Sequence, residues 1–119
     1  MGDEATLLRY ILSGGQRDAM YYGFILHYGY DAKPDTPRSE VAAWVFQVLS
    51  RLVEEGLVIV GDWGIDGIDS LSEDPHISAV LFRERVEALK DHEPNLADGI
   101  WFHVRTDAFD ENFPVFLDK

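Results

Sequence analysis

The sequence predicts a single α+β domain over residues 1–119: three helices leading into a small antiparallel sheet, with one additional helix. Three observations carry that expectation. The 119 residues are 46% hydrophobic and 13% aromatic, enough apolar surface for one packed core. In the first half, apolar residues recur at three- and four-residue steps, the period of a helix with one buried face. Beyond it come a β-branched run, Leu57-Val58-Ile59-Val60, and an alternating stretch from Ile100 to Arg105, both suited to strands.

Asp3 stands where an N-cap would open a first helix running to about Ser13. Leu7, Leu8, Ile11 and Leu12 would share one face, and Gly14-Gly15 would end it. A second helix is expected from Arg17 to about Tyr28, with Met20, Tyr21, Phe24, Ile25 and Tyr28 on one stripe and Gly29 as its stop. The third helix has the fullest set of signals. Thr36 can cap it and Pro37 can take its first position, where a missing N–H does no harm. Val41, Trp44, Val45, Val48, Leu49 and Leu52 then repeat at helical steps, and Gly56 follows the last turn. The strand at 57–60 is expected to stop at the Gly-rich acidic stretch 61–69. A fourth helix from Pro75 to about Asp91 would bury Ala79, Phe82, Val86 and Leu89. The tail Phe113-Pro114-Val115-Phe116-Leu117 is apolar enough to dock on the core or add a short strand.

Charge narrows the function. Twenty-two acids against ten bases give a net charge of −12. Residues 1–60 hold eight acids and five bases, net −3; residues 61–119 hold fourteen and five, net −9. Strong binding to bare phosphate needs clustered Lys and Arg, which this balance opposes. With no Cys there are no disulfides, thiolate zinc sites or cysteine nucleophile. The first residues form no signal peptide, and no apolar run approaches the ~20 residues of a membrane span, so the expected location is cytoplasmic.

The stretch Thr36-Pro37-Arg38-Ser39-Glu40-Val41, continuing to Leu49-Ser50-Arg51-Leu52-Val53-Glu54-Glu55-Gly56-Leu57-Val58, resembles the recognition helix and following strand of winged helix-turn-helix domains. The likeness is good over 36–60, loose over 4–35 and poor beyond 61. It implies DNA reading by the helix at 36–55, with Arg38, Ser39 and Gln47 the side chains placed for it. The local chemistry points the other way. Where a wing would grip phosphate, this chain has Asp62, Asp66 and Asp69.

That acidic stretch supports sharper readings. Asp62, Asp66, Gly67 and Glu73 match positions 1, 5, 6 and 12 of a calcium loop. Gly64 at position 3 supplies no side-chain oxygen, however, and a strand rather than a helix precedes the loop. The bland alternative is a solvated turn. The remaining one is a surface for a basic partner made by Asp62, Asp66, Asp69, Glu73 and Asp74, with Trp63 as an aromatic anchor. Catalytic signals are thin: His27, His76, His92 and His103 share no ligand spacing, and there is no nucleophile elbow or phosphate-cradling loop. No catalytic residue, cofactor or metal is therefore assigned. Around the second helix, Tyr22 and Tyr30 look surplus to the core and suit a protein interface, a homodimer among them. The expected function is a non-enzymatic, acidic interaction module for a basic protein, in the manner of immunity proteins, antitoxins or adaptors. The alternative is a winged-helix transcription regulator.

Overall fold

The computed structural model describes residues 2–17, 19–64, 67–89 and 100–104. The expected α+β class holds: four helices pack with a four-stranded antiparallel sheet. Helix α1 (Gly2–Arg17) buries Leu7, Ile11 and Leu12, leaving Leu8 half-buried. It begins before Asp3, which therefore lies in the first turn rather than at the cap, and it continues through Gly14 and Gly15. Glycine keeps its backbone N–H, so it costs a helix about 1 kcal/mol per residue without breaking the hydrogen-bond ladder.

The expected second helix is divided. Met20 and Tyr21 form strand β1 (Met20–Tyr21), and α2 (Tyr22–Ala32) starts only after it. Tyr21, the residue at the cap, is extended and makes no side-chain capping bond, so no Ser, Thr, Asp or Asn marks this start. The Tyr22 N–H instead donates to the Ile100 carbonyl at 3.1 Å, which fixes the switch from strand to helix. Gly29 does not stop α2; the turn closes later, where the Lys33 N–H donates to the Gly29 carbonyl.

Helix α3 (Arg38–Glu54) buries Val41, Val45, Val48, Leu49, Leu52 and Val53 along one stripe. Pro37 occupies the cap rather than the first helical position, one residue later than expected, and its carbonyl accepts from Glu40 and Val41. The other end follows the sequence closely. Gly56 adopts a φ of 78°, its N–H reaches the Val53 carbonyl, and the Leu57 N–H reaches that of Leu52. A left-handed residue flanked by these two bonds satisfies the last carbonyls, and glycine takes that conformation without steric cost.

The acidic stretch is a hairpin rather than an interruption. Strand β2 (Val58–Gly64) runs on through Asp62 and pairs with β3 (Gly67–Ser70), which carries Asp69. Helix α4 (Pro75–Leu89) and β4 (Trp101–Val104) complete the described fold. The strand order is β1-β4-β2-β3, so β4 enters between two strands that precede it in the chain. Val58 faces Val104 and Val60 faces Phe102, and these four buried residues, with Met20 of β1, bring the sheet into the core. Ile59, Trp101 and His103 are half-buried. Gly61 allows the hairpin to close, because a Cβ there would collide with the Asp69 backbone carbonyl. The tail at 113–117 and Arg105 lie outside the described residues.

Phe82 of α4 is fully buried. Its ring meets Phe46 of α3 at 4.9 Å, Phe102 of β4 at 5.4 Å and Tyr22 of α2 at 5.7 Å between centroids. Four elements therefore share one side chain. Phe82→Ala is expected to cost about 3–5 kcal/mol, a large share of a small domain's stability, read as a fall in the urea midpoint.

Candidate functional site

The hairpin places Asp62 and Asp69 directly opposite each other on exposed positions of β2 and β3. Like charges facing across a ladder repel. The helix beside them answers half of this. Arg85 of α4 donates to both carboxylate oxygens of Asp62, at 2.6 and 3.1 Å. That hydrogen bond holds the Asp62 carboxyl below the usual carboxylate range; a little desolvation opposes it and the charge attraction adds to it. Trp63 lies in β2 opposite Ile68, its side chain outside the described residues. Asp66 lies outside them altogether.

The connection from β3 to α4 accounts for the other two acids. Asp74 caps α4: its Oδ1 accepts from the His76 N–H at 2.8 Å and lies 3.4 Å from the Ile77 nitrogen. An aspartate before a proline at the first helical position is a readable start signal, so Asp74 has a structural task besides its charge. Glu73 is exposed. Ser78, buried in α4, donates to the Ser72 carbonyl at 2.8 Å and accepts from the Ser72 N–H at 3.1 Å, which pins the loop. Between this loop, β2 and the end of α3 is an open cleft of about 240 Å³ lined by Val53, Ile59, Ser70, Glu73 and Ser78, among others. The Ser70 hydroxyl also donates to the Ser72 carbonyl, so the cleft's hydroxyls serve the loop.

The calcium-loop pattern takes a different form in three dimensions. Its first residue, Asp62, gives both oxygens to a guanidinium, and β2 and β3 replace a wrapping loop. Among the described residues, no three His, Asp or Glu side chains gather where one ion would bind.

On α3, Arg38, Ser39 and Gln47 are all exposed. Arg38 lies over the Tyr30 ring, 4.6 Å from its centroid. Arg51 reaches back to Glu4 of α1 at 3.0 Å instead of to Glu54 or Glu55. The solvent face between them carries Glu40, Ala43, Gln47 and Glu54, while Phe46 on the flank is covered by Phe82. Of the two tyrosines assigned to an interface, Tyr22 is buried in the core, which pushes its phenol well above the ordinary value. Tyr30 is half-buried beneath Arg38. The aromatic residue that α2 does expose is Phe24, at 60%.

Two stability effects follow. Arg85→Gln leaves Asp62 facing Asp69 without a counter-charge, whereas Asp62→Asn removes the ion pair and the repulsion together. The first should therefore lower the urea midpoint more, with each effect below about 1 kcal/mol for so exposed a pair. Because the folded pKa of Asp62 is depressed, the pair's contribution is full above the unfolded value of about 4 and is lost as pH falls through the folded one. The gap between the variants should close in acid and in ~1 M salt. Separately, Asp74→Ala should cost about 1 kcal/mol through the lost cap.

Comparison with protein-family models, curated proteins and solved structures gives no match to this chain.

Proposed function

We propose that this chain is an acidic, non-enzymatic protein–protein interaction module that binds a basic protein partner, as a cognate inhibitor or adaptor, on a winged-helix-like core. The observation that carries the reading is the hairpin directly after α3. It presents Asp62 opposite Asp69, where a hairpin made for phosphate would present Lys or Arg. Glu73 and Asp74 extend the same acidic run into the start of α4. Electronegative potential of this kind steers a basic partner and fixes its orientation more than it sets raw affinity.

One observation favours the second reading, a DNA-binding regulator. Three helices lead into a hairpin, and Arg38, Ser39 and Gln47 are solvent-accessible on the third of them. Its weight is reduced by the stacking of Arg38 on Tyr30 and by Glu40 and Glu54 on the same helix. No helix among the described residues is long and apolar enough to cross a membrane.

The two readings separate in a pair of measurements. Generic duplex DNA should keep its electrophoretic mobility at low salt in excess protein; a shift would favour the regulator. Cytochrome c, as a cationic probe protein, should bind at low salt, and its dissociation constant should rise steeply with ionic strength. Asp69→Lys with Glu73→Lys should weaken that binding by roughly tenfold or more.

A further inference from the structure

We propose that the solvent face of α4 is where the partner docks, and that the docking segment is a cationic amphipathic helix. This deepens, and rests on, the reading of the chain as a binder of basic protein. Among the described residues, three large apolar side chains are exposed, and two of them, Ile77 at 51% and Val80 at 55%, lie on this helix. They stand three residues apart, on one stripe that continues to Glu84 and Glu87. The opposite side of α4, through Ser78, Ala79, Phe82 and Leu89, is the one that enters the core.

Ile77 and Val80 leave about half of their surface unburied by the fold in this position, in contact with water. β-Branched residues are weaker helix formers than the Glu, Lys or Ala usual on a solvent face. An apolar centre within a polar rim is the pattern of a binding surface. The rim is acidic: Glu73 precedes the pair and Glu84 and Glu87 follow it, all exposed. The two ion pairs described above leave these three glutamates uninvolved, since Arg85 is turned to Asp62 and Arg51 to Glu4. His76 and Arg83, seven residues apart, form the adjoining stripe, so the cationic side of the partner is directed to the glutamate side. Fifteen helical residues extend about 22 Å, a length that a partner helix of four turns matches with apolar anchors at three- and four-residue steps.

The test compares two fluorescent probes on the full chain at low salt: a leucine–lysine amphipathic helix and an oligolysine of equal charge. Wild-type protein should bind the amphipathic probe about tenfold more tightly. Ile77→Ser with Val80→Ser should abolish that preference and keep the oligolysine affinity. Equal affinity of the two probes for wild type overturns this inference and leaves the acidic module standing. If neither probe binds, the functional reading itself fails, and this one with it. A melting temperature lowered by several degrees in the double variant would mean that the chain itself covers this face. A wild-type dimer that the double variant converts to monomer would mean that a second copy does. Either result overturns the proposal.

Discussion

The packing of Phe82 holds the rest of the arrangement in place. One ring from α4 rests against Phe46 of α3, Phe102 of the central strand and Tyr22 of α2. Because α4 is fixed there, it covers the Phe46 flank of α3 and brings Arg85 within reach of Asp62 on the hairpin. The same anchoring leaves Ile77 and Val80 facing solvent. Edge-to-face and tilted aromatic contacts of this kind add about 0.5–1.5 kcal/mol each beyond area burial. The acidic surface thus has a rigid apolar support.

Electrostatics on this molecule is distributed rather than uniform. Three of the five bases in residues 1–60 are drawn into local contacts: Lys33 lies 3.9 Å above the Trp44 ring, Arg38 lies over Tyr30, and Arg51 meets Glu4. Each of these three positive charges is held against a ring or a carboxylate, which leaves it less available to a phosphate chain. On the hairpin side, Arg85 offsets only one carboxylate of a facing pair. What the surface presents outward is mainly the negative remainder.

Much of this was legible in the residues, for reasons that can be stated. Helix α3 was readable because its six buried positions keep one stripe and Gly56 marks its end with a conformation other residues avoid. The hairpin was not, since Asp and Gly disfavour strands locally, and its pairing is fixed by contacts with β4 rather than by propensity. The division of the expected second helix was hidden for a similar reason: Tyr21 carries no capping group, and the strand there exists through bonds to residues 100–102. At the candidate site, the positions of the acids were plain, whereas the cap that Asp74 supplies to α4 was not read from them. The pairing of Asp62 with Arg85, twenty-three residues on, left no local trace, and neither did the exposure of Ile77 and Val80.

The place of β4 in the sheet also bears on how the chain reaches its structure. Met20 finds its partner in Phe102, and Val58 finds its own in Val104. The strand that joins the two halves of the sheet is therefore the last of the described elements to leave the ribosome. Until it arrives, β1 and the hairpin have unpaired edges, and the buried side of Val58 and Val60 lacks its cross-strand neighbours. Pairings this distant in sequence carry a loop-closure cost before any contact compensates it, which slows folding. During that interval the exposed strand edges are sites where nascent copies could join one another, and the repelling aspartates on the hairpin discourage such joining.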